Sequence, residues 1–105
     1  MKIKNDYDLD KLVTEYGFRK NKIIEHSVYI YEIYKDSNIA CEIIVNTVEN
    51  NDRIIRFYYY DDLDEKINLY YYDGKINEFT ADPVDYVTEI PDIIFKMIIN
   101  NIVEI

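Results

Sequence analysis

The chain is poor in the residues that build disulfide-stapled, metal-dependent or flexible proteins. Its 105 residues include one cysteine, one histidine, two glycines, two prolines and no tryptophan. A lone cysteine excludes a disulfide framework within one chain and fits the reducing cytoplasm. Few glycines and prolines, together with 49% hydrophobic residues, argue against a disordered or low-complexity chain. The length predicts one domain, residues 1–105, that buries a single core without disulfides or metal.

Long apolar runs are also missing. The richest apolar stretch, residues 93–99, is interrupted by Lys96 and is too short to span a bilayer. The lysines near the N-terminus are not followed by the apolar run of a signal peptide. The sequence therefore predicts a soluble, unprocessed, cytoplasmic protein without a membrane partner.

Basic residues are scarce in the second part of the chain. The formal net charge is −9. Residues 1–60 hold nine basic and ten acidic groups, whereas residues 61–105 hold three and eleven. Direct binding to a phosphate backbone requires clustered lysine and arginine, so nucleic acid is not an expected ligand. A basic protein surface, including one that itself holds nucleic acid, is the better electrostatic match.

Tyrosine is what the chain has in excess, and it is concentrated in residues 53–79. Two tyrosine triplets, residues 58–60 and 70–72, flank an acidic loop at residues 61–65. Asp73-Gly74 follows, a pair suited to the positive φ angles of a tight hairpin turn. Aromatic and β-branched residues favour strands, so this region is predicted to form three consecutive strands. Alternation then places tyrosines on both faces of the sheet.

The remaining pattern predicts two helices around a sheet. Apolar residues at helical spacing, Leu9, Leu12, Val13 and Tyr16, predict a first helix that Asp8 caps and Gly17 ends. The basic run at residues 19–22 is interpreted as a solvated loop. Residues 26–35 and 39–48 alternate like strands, with turns at 36–38 and 49–52.

The C-terminal part of the pattern predicts a further helix. Asp82-Pro83 begins a short helical or looped segment through Tyr86. Pro91 opens a last helix whose polar stripe runs from Asp92 to Glu104. The expected fold class is α+β: a four- or five-stranded antiparallel meander with the N-terminal and C-terminal helices packed on one face.

The two ends of the chain carry a resemblance. The segments concerned are Met1-Lys2-Ile3-Lys4, Asp8-Leu9 through Leu12 to Tyr16-Gly17-Phe18, and Asp92-Ile93-Ile94 through to Ile102-Val103-Glu104. They resemble a class of short uncharacterised proteins from phages of low-GC bacteria. Such proteins are similar in size and acidity to small phage-encoded anti-defence inhibitors, many anti-CRISPR proteins among them. The resemblance implies a phage-encoded anti-defence protein, but it assigns no site residues.

Catalytic and metal-binding arrangements are weakly supported. The acidic loop lacks the turn glycine and the spaced glutamate of a calcium loop, so neither a metal nor a cofactor is expected. His26 has no nucleophile or orienting partner in the pattern, and Cys41 fits a core strand position. Carboxylates are so common here that a pair such as Asp82 and Asp85 is weak evidence for acid–base catalysis. An enzyme is the least expected class.

Protein binding is the favoured function. Carboxylates pair with lysine and arginine of a partner, and tyrosines are typical interface anchors. The predicted partner-binding residues are Asp61, Asp62, Asp64, Glu65, Tyr59, Tyr60, Tyr70, Tyr72 and Asp73. The leading hypothesis is an inhibitor that occupies a basic nucleic-acid-binding surface of a host defence complex. The alternatives are an immunity protein or antitoxin for a cognate toxin, and a self-associating structural protein, with a homodimer as one form.

Overall fold

The computed structural model describes residues 1–34, 39–46, 53–79 and 88–105. Within them, the helices are α1 (Asp10–Tyr16) and α2 (Asp92–Ile99). The strands are β1 (Lys2–Ile3), β2 (Arg19–Ile23), β3 (His26–Tyr34), β4 (Ile39–Asn46), β5 (Ile55–Tyr60), β6 (Lys66–Tyr72), β7 (Lys75–Glu78), β8 (Thr88–Glu89) and β9 (Val103–Glu104). The predicted turns at 36–38 and 49–52 and the segment at 82–86 lie outside the described residues.

The principal sheet is an antiparallel meander. Over the described ranges it has seven strands in the order β2-β3-β4-β5-β6-β7-β8, so each strand pairs with its neighbours in the chain. The predicted α+β class with an antiparallel sheet and two helices is confirmed, but the expected count of four or five strands is wrong. The missed edge strands explain the difference. β2 is fully exposed and basic, so it lacks the apolar alternation of a strand, and β8 has only two residues.

A second, two-stranded sheet joins the two ends of the described chain. β1 pairs antiparallel with β9, with Ile3 opposite Val103. β1 also contacts the beginning of β5: the Ile3 N–H donates to the Arg53 carbonyl at 2.9 Å, and the Ile55 N–H donates to the Met1 carbonyl at 3.1 Å. β5 therefore has β1 beside its first residues and β6 beside its later ones.

The first helix ends as its glycine predicts. Gly17 adopts the left-handed conformation with φ 77°, and the N–H groups of Gly17 and Phe18 both donate to the Leu12 carbonyl. Phe18 is thereby folded back into the core, where it is 2% exposed. At the other end, the Asp8 carboxylate accepts a hydrogen bond from the Asp10 N–H at 3.1 Å. Because Leu12 and Tyr16 point inward, α1 packs on the sheet.

The second helix is shorter than predicted. Pro91 precedes it in an extended conformation, and the helix ends at Ile99 instead of continuing to Glu104. Asn101 adopts φ 61°, which turns the chain out of the helix and into β9. Asparagine tolerates this left-handed conformation better than most residues, but it is a weaker stop signal than glycine. Ile94 and Met97 are fully buried, so the apolar side of α2 belongs to the domain's own core.

The two faces of the principal sheet have different environments. Residues that alternate inward, Tyr29, Cys41, Ile43, Phe57, Leu69 and Ile76, form one buried cluster with Leu12, Ile94 and Met97 of the helices. Both helices therefore lie on one face. No described helix covers the opposite face, which we call the uncovered face. It consists of the side chains that alternate with those core residues along each strand.

Candidate partner-binding face

Strand register divides the tyrosine triplets between the two faces. Tyr58 lies opposite Asn68, and Tyr60 lies opposite Lys66. Phe57 and Leu69, which are opposite each other, are both core residues. Since directly paired residues share a face and successive residues alternate, Tyr58, Tyr60, Tyr70 and Tyr72 lie on the uncovered face. Tyr59 and Tyr71 lie on the helix-covered face.

Large side chains on the uncovered face are accessible. Tyr60 is 45% exposed, Tyr72 is 70% exposed and Phe79 is 69% exposed. The Tyr70 and Phe79 rings contact each other with centroids 5.0 Å apart. Ile44 and Ile54 contribute further exposed aliphatic surface. Of the predicted anchors, Tyr60, Tyr70 and Tyr72 thus share one face.

Tyr59 faces the other way. Its hydroxyl donates to the Glu78 Oε2 atom at 3.1 Å, and the ring packs against the core. Burial and the adjacent Glu78 carboxylate raise the pKa of the Tyr59 hydroxyl. The register of β5 with β6 therefore separates Tyr59 from the other predicted anchors.

A buried carboxylate organises the middle of the uncovered face. Glu42 is 7% exposed although no described helix covers it. The Lys66 Nζ donates to its Oε1 at 2.9 Å and lies 4.2 Å from the centroid of the Tyr58 ring. Tyr58 in turn contacts Tyr60 edge to face, with centroids 5.6 Å apart. Burial, followed by the Glu42 charge, raises the pKa of the Tyr58 hydroxyl. These contacts hold the ring of Tyr60 beside the acidic loop.

The acidic loop has one structural carboxylate and three outward ones. The Asp61 Oδ1 accepts hydrogen bonds from the Leu63 and Glu65 N–H groups, both at 2.9 Å. Asp64 adopts φ 57°, a left-handed conformation that aspartate tolerates. Asp62, Asp64 and Glu65 are exposed. Asp61 therefore shapes the loop, and the other three are available to a partner.

Asp73 lies at the opposite end of β6 from the acidic loop. It adopts φ 50° and Gly74 adopts φ 75°, so both central residues of the β6–β7 turn are left-handed, as the Asp-Gly pair predicts. β6 spans seven residues, or about 23 Å at 3.3 Å per residue. Asp73 is therefore far from Asp62, Asp64 and Glu65 and lies at the Tyr72 end of β6.

Charge on the uncovered face is mixed. By strand register, its described basic residues are Arg19, Arg56, Lys66 and Lys75. Its described acidic residues are Glu32, Glu42 and Glu89. The net negative charge of the protein is thus carried outside this face. The acidic loop adjoins the uncovered face only at Tyr60. This separation depends on which residue faces which side, so composition alone does not reveal it.

A cleft opens in the sheet where β5 and β6 separate. The β5–β6 pairing ends at Phe57 and Leu69, and β1 lies beside β5 beyond that point. The cleft has a volume of about 440 Å³. Its lining includes Arg56, Phe57, Leu69, Tyr70 and Phe79. The local sequence pattern does not mark Arg56 and Phe79 as site residues, because the cleft forms where β6 leaves β5 and the distant strand β1 lies beside β5 instead.

The described residues contain no evident metal centre. No group of three or more His, Cys, Asp or Glu residues within them is arranged to hold a metal ion. Cys41 is fully buried, and burial raises its pKa to about 12. Asp82 and Asp85 lie outside the described ranges. Among the helices described, neither is long and apolar enough to cross a bilayer.

Comparison with known proteins assigns no family. No protein-family model, curated protein or solved structure matches the chain. The function must therefore be inferred from the faces and surfaces of the domain itself.

Proposed function

We propose that this domain is a small acidic inhibitor that binds a basic, nucleic-acid-binding surface of a partner protein in the cytoplasm of a bacterial host. The observation that carries the proposal is the set of exposed tyrosines on an uncovered sheet face that ends in exposed carboxylates. Such a face combines aromatic contact area with negatively charged side chains at one end. A phage-encoded anti-defence protein is the setting that the resemblance of the chain's ends implies.

Tyr60, Tyr70 and Tyr72 serve as the anchors of this interface. Tyrosine provides large contact area with few rotatable bonds, and its hydroxyl can pair with polar groups of the partner. Tyr60 and Tyr70 are held by ring contacts with Tyr58 and Phe79. Binding therefore requires little ordering of these two side chains, which lowers its entropic cost.

Asp62, Asp64 and Glu65 supply the electrostatic part of the interface. They project from the β5–β6 loop and pair with lysine or arginine of the partner. Because the charges on the uncovered face are mixed, this loop orients the partner and speeds its association, while the tyrosines supply contact area. A surface that normally holds nucleic acid presents the clustered positive charge that this arrangement requires.

The proposal is tested by capture from a lysate of a low-GC bacterium, followed by a functional assay. The tagged protein is used to retain partners at low and high salt, and each retained protein is assayed for nucleic-acid binding with and without the inhibitor. We expect a retained nucleic-acid-binding protein that releases its nucleic acid when the inhibitor is added.

Charge variants identify the working surface. The variant Asp62→Asn/Asp64→Asn/Glu65→Gln should weaken binding about tenfold and reduce its salt dependence, since exposed pairs each contribute roughly 0.2–1 kcal/mol. The matched control is Asp6→Asn/Glu15→Gln/Asp92→Asn, which removes three exposed carboxylates from the N-terminal segment and the two helices. Equal affinity of the two variants, or a partner whose nucleic-acid binding is unaffected, would refute the proposal.

A further inference from the structure

The cleft between β5 and β6, which we call the notch, is lined by residues from both faces of the sheet. Ile55, Phe57 and Leu69 in its lining are core residues, whereas Arg56 and Tyr70 lie on the uncovered face. The volume of about 440 Å³ falls within the range of roughly 300–1,000 Å³ found for ligand pockets. The notch therefore offers an apolar floor beneath a polar rim.

Among the described residues, no strand pairs with the edge of β6 that faces this notch. Tyr72 pairs with Lys75 next to the two-residue turn, so the peptide groups of Tyr72 and Tyr70 face β7. The N–H and C=O of Tyr71 consequently face the other way, toward the notch. The β5–β6 ladder has already ended at Leu69. An extended segment of another chain can add to β6 at this position through main-chain hydrogen bonds.

Arg56 determines the charge that such a segment should carry. It lies on β5 opposite Glu42, but the Glu42 Oε1 is bonded to Lys66 at 2.9 Å. Within the described part of the chain, the exposed Arg56 guanidinium has no carboxylate partner. An arginine at the rim of an apolar notch fits a carboxylate, which it can bind through two parallel hydrogen bonds.

We propose that the notch binds an extended segment of the partner protein in which an apolar side chain is followed by an acidic residue. Successive side chains of an extended segment point to opposite faces. The apolar side chain therefore enters the notch toward Phe57 and Leu69, while the carboxylate lies on the uncovered face beside Arg56. The Tyr71 peptide group pairs with the backbone of the segment. This assignment rests on the proposed function, to which it adds the chemistry of a second partner contact.

Short peptides test the proposal on the intact protein. The probe is acetyl-Thr-Phe-Asp-Thr-amide, compared with analogues that carry asparagine or lysine in place of the aspartate. Each peptide is titrated into isotope-labelled protein while amide chemical shifts and hydrogen exchange are followed by NMR. We expect shifts at Phe57, Leu69 and Tyr71 and slower exchange of the Tyr71 N–H. The aspartate peptide should bind about threefold to fivefold more tightly than the asparagine peptide, and the lysine peptide most weakly.

Two arginine variants distinguish specific binding of the aspartate peptide at Arg56 from general electrostatic attraction to the protein. Arg56→Gln should abolish the preference for aspartate, whereas Arg19→Gln, on the distant strand β2 of the same face, should preserve it. The Asp62→Asn/Asp64→Asn/Glu65→Gln variant should bind the peptide as the natural protein does, because the acidic loop is remote from the notch. Absence of shifts at the notch, or an aspartate preference that survives Arg56→Gln, would overturn the assignment. If the notch binds the peptide as expected but capture of the partner does not depend on the acidic loop, the result would count against the proposed function alone.

Discussion

Lys66 and Glu42 form an ion pair across an intervening strand. Lys66 is on β6 and Glu42 is on β4, with β5 between them, yet Nζ and Oε1 are 2.9 Å apart. The lysine reaches this position by passing over the Tyr58 ring, 4.2 Å from its centroid. The pair thereby fastens three strands together on the face that the helices do not cover.

Replacing Lys66 should therefore lower the free energy of unfolding. In Lys66→Met the buried Glu42 carboxylate loses its counter-charge, and we expect the free energy of unfolding to fall by about 1–2 kcal/mol, less than for a fully buried pair because Lys66 is partly exposed. Glu42→Gln and the double variant complete a double-mutant cycle measured by denaturant unfolding. A coupling energy near zero would contradict a stabilising pair.

Arg53 should be essential for the position of the N-terminal segment. Its buried guanidinium donates from Nη1 to the carbonyls of Lys4 and Tyr7, at 2.9 and 2.6 Å. Arg53→Met keeps much of the apolar stem but leaves these carbonyls without their donor, so we expect a loss of about 2–3 kcal/mol. Thermal unfolding measures the loss, and faster amide exchange in β1 would locate it. Unchanged exchange there would contradict the role of Arg53.

Tyr7 carries a buried hydroxyl with no hydrogen-bond partner among the described residues. Tyr7→Phe should leave the free energy of unfolding at pH 7 unchanged or raise it by about 1 kcal/mol, because an unsatisfied polar group is removed. A clear loss of stability in this variant would indicate that the hydroxyl does have a partner.

Alkaline pH provides a second test of the same side chain. Burial, with the nearby Tyr16, Glu15 and Asp8 charges adding to it, raises the pKa of Tyr7 to about 12. An unfolded tyrosine titrates near pH 10, so between pH 10 and 12 the unfolded state loses this proton first and stability falls. The free energies of unfolding of the natural protein and Tyr7→Phe should run parallel below pH 10 and diverge between pH 10 and 12, where only the natural protein loses the contribution of Tyr7.

Cys41 should be inert in the folded protein. Its thiol is fully buried, and burial raises its pKa to about 12, so the reactive thiolate is scarce at neutral pH. We expect a disulfide reagent at pH 8 to modify Cys41 only as fast as the domain opens. The same reagent should react at once in strong denaturant. Rapid reaction of the folded protein would place Cys41 nearer the surface.

Asp73 should contribute to the stability of the β6–β7 turn whether or not it contacts a partner. Its φ of 50° is tolerated by aspartate and asparagine but disfavoured for alanine. Asp73→Asn should preserve stability, whereas Asp73→Ala should cost about 1 kcal/mol. If Asp73→Asn weakens partner binding without destabilising the domain, the carboxylate itself contacts the partner.

The fold was predictable where the signal is local. Alternating apolar residues identified the central strands, and Gly17 and the Asp73-Gly74 pair identified a helix end and a hairpin. β2 was not predicted because it is an exposed edge strand. None of its side chains is buried, so its sequence does not need the alternation of apolar and polar residues that identifies a strand. The end of α2 was misplaced because Asn100-Asn101 is a weaker stop than glycine.

The candidate site was only partly predictable for a different reason. Composition identifies the tyrosines and the carboxylates, but a shift of one residue in pairing exchanges the two faces of a strand. The pairing of Phe57 with Leu69 decides that Tyr60 and Tyr70 lie on the uncovered face and Tyr59 does not. The notch beside Arg56 depends on β1, which is more than 50 residues away in the chain.

The pairing of β1 with β9 also constrains how the protein is made. Lys2 and Ile3 find their partners at Glu104 and Val103, and the Lys4 N–H donates to the Ile102 carbonyl at 2.9 Å. On a ribosome, β1 must wait until Val103 and Glu104 have been synthesised before this ladder can close. Contacts so distant in sequence also slow folding. The meander can form while synthesis continues, whereas the β1–β9 ladder closes only after residues 103–104 have emerged.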